Sequence, residues 1–220
     1  MNDQDRIILK HLDEMIGRYP VLADCKKDIE KAYWLLKEAY ETGHKLLVAG
    51  NGGSAADSEH IAGEMMKRFR LARPVPADFA AKLKEADPVR GTKLAANLEQ
   101  GLLAIPLVTH EALTTAYIND VDGVGVFAQQ LYGYGETGDV FLGISTSGNS
   151  ENVIHAAVCA QALDMKVIAL TGEGGGKLAE HADVTIAVPE KETYLIQELH
   201  LPIYHCLCLM LEEHFFGSKI

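Results

Sequence analysis

Five short runs in this chain are apolar on both faces of any strand built from them: L-L-V-A-G (46–50), A-I-P-L-V-T (104–109), V-F-L-G-I-S (140–145), K-V-I-A-L-T (166–171) and V-T-I-A-V (184–188). Strands of this kind have no face for water. They alternate here with stretches of helical periodicity, which is the pattern of a parallel sheet covered by helices on both sides. The composition can fill such a core, with 48% hydrophobic and 23% charged residues among 220. A disordered chain would need low hydrophobicity and high charge. No apolar run reaches the ~18 residues that span a bilayer, and the polar, acidic start M-N-D-Q-D-R carries no basic segment of a secretory signal.

The helical stretches set the rest of the organisation. Before the first strand, Ile7, Ile8, Leu12 and Ile16, then Ile29, Ala32, Leu35, Leu36 and Ala39, recur at helical spacing, with Pro20 between two helices and Gly43 ending the second. A helix is expected from about Ser54 to Leu71, and a long one from about Glu192 to Phe216, which Pro202 should kink or open. Between 74 and 103, Pro74, Pro76, Pro88 and Gly91 punctuate two short amphipathic helices, read as an insertion within a single domain spanning 1–220. Its leucines (Leu83, Leu94, Leu98, Leu102) call for a surface to fold against, either the mouth of a pocket or a subunit contact.

Charge and cysteines narrow the partners. A formal net charge of −11 argues against nucleic acid, which needs a basic face. Four cysteines are too few for a disulfide scaffold and read as reduced thiols of a cytoplasmic protein.

Two loops bear the marks of a phosphate site. A-G-N-G-G-S-A-A-D-S (49–58) follows a strand and opens a helix, so Gly52 and Gly53 let the backbone approach a ligand at a helix N-terminus. It matches a relaxed G-x-G-x-x-A pattern, yet the next strand begins about 50 residues on, too far for a dinucleotide-binding unit. I-S-T-S-G-N-S (144–150) repeats the strand-to-helix placement with Ser145, Thr146, Ser147 and Ser150. An N-cap needs one hydroxyl. Four of them without a P-loop lysine suit a phosphate monoester.

Two helices supply the groups for proton chemistry. His60 and Glu64 are four apart and share a helix face, as metal ligands, as an acid–base couple or as a plain surface pair. In Q-E-L-H-L-P-I-Y-H (197–205), Gln197 and His205 stand about 80° and ~12 Å apart on a regular helix. His200 should face away, to solvent or a subunit contact, unless it is an ordinary core histidine.

Taken together, G-N-G-G-S-A-A-D, H-x-x-x-E with Arg68, N-D at 119–120, G-D-V-F-L-G-I-S-T-S-G-N-S, A-L-T-G-E-G-G-G-K-L and I-Q-E-L-H-x-x-x-x-H resemble the sugar isomerase (SIS) domain family. The likeness is closest to the branch that converts D-sedoheptulose 7-phosphate to D-glycero-D-manno-heptose 7-phosphate, the entry to activated heptose. It implies a three-layer α-β-α sandwich on a five-stranded parallel sheet, flavodoxin-like, with N-terminal helices added. It implies Glu64 as catalytic base and His205 as catalytic acid. It further implies substrate contacts at Asn51, Gly52, Gly53, Ser54, Arg68, Asn119, Asp120, Ser145, Thr146, Ser147, Ser150 and Gln197. In relatives that bind zinc, the ligands correspond to His60, Glu64, Gln197 and His205, and no nucleotide cofactor is called for. A homotetramer with sites at subunit interfaces is implied as well. Two features depart from the family pattern: Tyr194 stands where some members carry an acid, and the 74–103 insertion is long. A non-catalytic regulatory SIS protein and an isomerase of another sugar phosphate are the competing readings.

Overall fold

A computed structural model describes residues 3–217, so the ends of the expected domain, 1–2 and 218–220, lie outside it. Helix α1 (Asp3–Arg18), a 3-10 turn opened by Pro20 and α2 (Lys26–Glu41) precede the first strand. Then come β1 (Leu46–Gly50), α3 (Gly53–Met66), α4 (Ala77–Ala86), α5 (Pro88–Asn97), β2 (Ala104–Pro106), α6 (Glu111–Asp120) and α7 (Val126–Tyr134). The chain ends with β3 (Val140–Ser145), α8 (Glu151–Ala162), β4 (Lys166–Thr171), β5 (Val184–Ala187) and α9 (Thr193–Phe216). Two boundaries differ from the sequence expectation. Strand β2 stops at Pro106, with one more bond beyond it from the Leu107 N–H to the Val48 carbonyl at 2.8 Å, and α3 ends five residues before Leu71. Pro202 neither opens nor ends α9, which begins at Thr193 and runs through it.

All five strands are parallel, in the order β2-β1-β3-β4-β5. Alternate residues feed the two faces. Leu46, Val48, Leu142, Ile144, Ile168 and Leu170 pack with α1, α2, α3 and α9. Leu47, Ala49, Phe141, Val167 and Ala169 pack with α7 and α8. This is the three-layer α/β sandwich. From β1 the chain order runs outward to β2 on one side and to β3 on the other, so a crevice opens between the carboxyl ends of β1 and β3. In open parallel sheets that switch point is where ligands bind.

The N-terminal helices find their burial within the chain. Ile8, Leu12 and Met15 are almost wholly buried, and α1 packs against α9. Their apolarity therefore needs no second subunit. The α4–α5 hairpin behaves otherwise. Its two helices pack on each other, Gly91 is their only buried residue, and Phe79, Val89 and Leu94 are exposed.

A buried ion pair ties the end of α3 to α9. Arg73 and Glu212 are each about 1% exposed, with the guanidinium Nη2 2.9 Å from Glu212 Oε1. Arg73 also donates to the Met65 carbonyl, while Glu212 accepts from the Phe69 and Arg70 backbone N–H groups. Every polar atom of consequence is matched, which is the condition for burying two charges.

Candidate active site

The crevice between β1 and β3 holds a cavity of about 340 Å³, lined by Asn51, Gly52, Gly53, Ser54, Ser145, Thr146, Ser150, Gln197, Ile144 and Thr193. Eight of these ten were legible as site residues from sequence. Backbone geometry explains the glycines. Gly52 caps α3 with φ of 57°, a region costly for residues with a side chain. At Gly53 a Cβ would come within 2.5 Å of the Gln197 amide nitrogen, so the glycine leaves room for that side chain.

The two loops are pinned to each other. Asn51 and Asn152 exchange side-chain hydrogen bonds of 2.9 and 2.8 Å, and the Ser145 and Ser150 hydroxyls are 2.9 Å apart. Helices α3 and α8 both begin at this cavity, so two sets of free N–H groups and two positive dipole ends meet there. Among the described residues no Lys or Arg lines it. The arrangement suits an anion held by hydroxyls and amides. A larger groove, about 480 Å³, lies at the opposite end of the sheet beside Lys166 and Asp183, which pair with each other. It contains neither loop.

Helices α3 and α9 run side by side and parallel. Gly53 lies by Gln197, His60 meets Tyr204 and, just past the end of α3, Phe69 meets Glu212, an almost constant offset. The cluster at the far end follows from this register. His60 Nε2 lies 3.3 Å from Glu64 Oε1 and 3.5 Å from His205 Nε2. Lys67 donates to the other Glu64 oxygen at 3.1 Å. Burial, then the neighbouring His60, lower the His205 pKa, and Glu64 partly offsets them. Tyr204 OH donates to Asp57 Oδ1 at 3.2 Å, and His60 Nδ1 is 2.9 Å from the same hydroxyl. Burial first, and the Asp57 carboxylate second, push the Tyr204 phenol well up, so it keeps its proton. Burial raises the Asp57 carboxyl against the opposing pull of Tyr204 and His60.

Four expected contacts stand elsewhere. Arg68 forms an ion pair with Glu99 and its backbone N–H donates to the same carboxylate at 3.0 Å, so the guanidinium is held toward the insertion. Asn119 and Asp120 close α6, where the amide of one donates to the carboxylate of the other at 2.8 Å, outside the cavity. Ser147 Oγ accepts from Asn149 N–H at 3.1 Å, and Ser147 does not line the cavity. His200 faces the core rather than solvent or a subunit contact; it is fully buried, with Nε2 3.2 Å from the Thr171 carbonyl. None of the insertion's residues lines the cavity. Thr193, Asn152, Asp57, Lys67 and Tyr204 were missed. Asp57 and Tyr204 carry a signal in hindsight, because each precedes an expected ligand by one helical turn or one residue.

The zinc donor set is only partly assembled. His60, Glu64 and His205 converge, whereas Gln197 lies two turns earlier against Gly53. Among the described residues no group of three or more His, Cys, Asp or Glu is arranged to hold a metal ion.

The SIS domain family model matches residues 20–100 and 96–172, and the chain belongs to that family. It is 39% identical to the phosphoheptose isomerase of Thiobacillus denitrificans, over 94% of this chain and 98% of the relative. It is 38% identical to that of Aneurinibacillus thermoaerophilus, over 100% and 98%. The solved phosphoheptose isomerase of Neisseria gonorrhoeae superposes with a TM-score of 0.71 at 33% identity, covering 96% of this chain and 100% of that one. Full-length likeness of this degree places the chain among the phosphoheptose isomerases, which are aldose–ketose isomerases.

Proposed function

We propose that Glu64 and His205 carry the interconversion of D-sedoheptulose 7-phosphate and D-glycero-D-manno-heptose 7-phosphate through a cis-enediol. The observation that supports this most is the meeting of both side chains at His60 Nε2, within 3.5 Å, although they come from distant parts of the chain. Moving a carbonyl between C1 and C2 requires a base that takes a carbon-bound proton and returns it to the neighbouring carbon. It also requires an acid that protonates the carbonyl oxygen. Carboxylate and imidazole suit these two tasks. The phosphate sits among Ser54, Ser145, Thr146 and Ser150, and the sugar extends along α3 and α9 toward Glu64. Ser54 and Glu64 are about 15 Å apart along α3, a span that the extended sugar phosphate shares with the side chains reaching in from its two ends. Contacts at the phosphate, remote from the reacting carbons, fix the chain for proton transfer.

The test is an isomerase assay with sedoheptulose 7-phosphate. Glu64→Gln should keep KM near the wild-type value and lower kcat by about 100-fold or more. Wild-type kcat in that variant sinks the assignment. Turnover of a pentose or hexose phosphate in place of the heptose moves the substrate and leaves the chemistry.

Zinc at His60, Glu64, Gln197 and His205 is a separate proposal, resting on donor chemistry alone, and no step above depends on it. Assembly into a homotetramer is another. It is supported by Arg68, Asn119 and Asp120 standing off their own cavity and by the exposed apolar residues of α4–α5 and α6, among them Phe79, Val89 and Ile118. The four free cysteines fit a cytoplasmic setting.

A further inference from the structure

Thr193 stands on the cavity wall, and the acid–base assignment does not use it. It opens α9, so this helix begins at the same cavity as α3 and α8. Among the described residues no side chain caps any of the three, and first-turn N–H groups are left without a helical partner. The hydroxyls of the wall are of two kinds. Those of Ser145 and Ser150 are 2.9 Å from each other. Those of Ser54, Thr146 and Thr193 make no hydrogen bond to a described residue. Ser54 is 3% exposed. A nearly buried hydroxyl without a protein partner needs one from the cavity that it lines.

The segment after β4 holds the first turn of α9 against the hydroxyl loop. Gly172 N–H donates to the Thr146 carbonyl at 2.9 Å, and Glu173 N–H donates to the Glu190 carbonyl at 2.9 Å. A Cβ at Gly172 would come within 2.5 Å of Ile196 Cδ1. The approach to α9 and the 145–150 loop are thus fastened through two adjacent residues. On α9, Thr193 lies one turn before Gln197, on the side away from His205. It therefore meets the end of a substrate that is remote from the reacting carbons. We propose that Thr193 is a substrate-binding residue whose hydroxyl donates to a phosphoryl oxygen, sharing the anion with Ser54 and Thr146 where three helices begin. With no Lys or Arg on this wall among the described residues, each hydroxyl carries a larger share of holding the charge. The effect on turnover rests on the reading of Glu64 and His205 as the reacting pair; the anion contact itself does not.

The experiment uses the full chain, with inorganic phosphate as the binding probe and sedoheptulose 7-phosphate as the substrate. Thr193→Val keeps the shape and removes the hydroxyl, and Thr193→Ser keeps the hydroxyl. Calorimetry should show Thr193→Val binding inorganic phosphate about tenfold more weakly than wild type, the scale of one hydrogen bond to a charged group. Thr193→Ser should stay within about twofold of wild type. In the isomerase assay Thr193→Val should raise KM about tenfold with kcat within about twofold, because the contact is alike in the ground and transition states. Unchanged phosphate affinity and KM in Thr193→Val overturn the proposal and leave the isomerase reading in place. A Thr193→Ser variant as weak as Thr193→Val also overturns it and assigns the position to helix packing. So does a fall in kcat with KM unaltered, and so does a wild type that shows no phosphate binding. If Thr193→Val fails to fold, Thr193→Ala carries the same readouts. A wild type that binds inorganic phosphate through Thr193 but does not turn over sedoheptulose 7-phosphate removes the isomerase reading and supports the anion contact.

Discussion

His200 shows how a residue type that looks functional can serve the core. Burial pushes its pKa down from 6.5 to about 4, against a raising influence from the Thr171 carbonyl. The folded state therefore binds fewer protons than the unfolded one between those values. Its contribution to stability is complete above 6.5 and is lost as pH falls toward 4. Urea unfolding at about pH 7 and about pH 4.5 should show wild type losing ~2–3 kcal/mol more than His200→Gln. Equal losses would place the ring in a hydrated setting. The hydroxyl loop and H-x-x-x-E were readable because each is a local pattern with a chemical meaning. Tyr204 was not, because its role depends on Asp57 and His60, and no spacing within α9 reveals a partner on α3. At Ser147 the loop is closed locally, the hydroxyl oxygen accepting from the Asn149 N–H.

At the scale of elements, periodicity gave the five strands and the covering helices, since a strand apolar on both faces has few places to lie. Periodicity could not tell which apolar faces stay open. Leucines in 74–103 look the same whether they are buried or exposed, and the tertiary partner decides. The α4–α5 hairpin has its principal contacts within itself. Replacing 77–97 with a Gly/Ser linker should therefore leave the circular dichroism of the sheet and its flanking helices intact and shift Tm by only a few degrees. Collapse of the fold would show that the hairpin carries part of the core. Glu99, just beyond the replaced segment, keeps its hold on Arg68.

For the whole molecule, the site is built where strand order reverses, and two helix N-termini supply the charge complementarity that an acidic chain lacks overall. A net charge of −11 is thus compatible with an anionic substrate. Light scattering should give a mass four times that of the 23.9 kDa chain, and elemental analysis of the same sample one zinc per subunit. A monomer that isomerises the substrate refutes the tetramer. A metal-free sample with full activity refutes zinc.

The side-by-side run of α3 and α9 makes the distance between the hydroxyl-lined cavity and the His60–Glu64–His205 cluster a matter of counting residues. One residue added to α3 between Ser54 and Glu64 would turn the carboxylate by about 100° and carry it off His60 and His205. A matching addition to α9 would not restore the contact without disturbing Glu212, which is locked to Arg73 just beyond α3. The two helices work as a ruler between the cavity and the His60–Glu64–His205 cluster. Such a scaffold has little tolerance for insertions between its marks. The long elaboration of this chain begins after Arg73, beyond the end of α3 at Met66, where extra length changes nothing in the count.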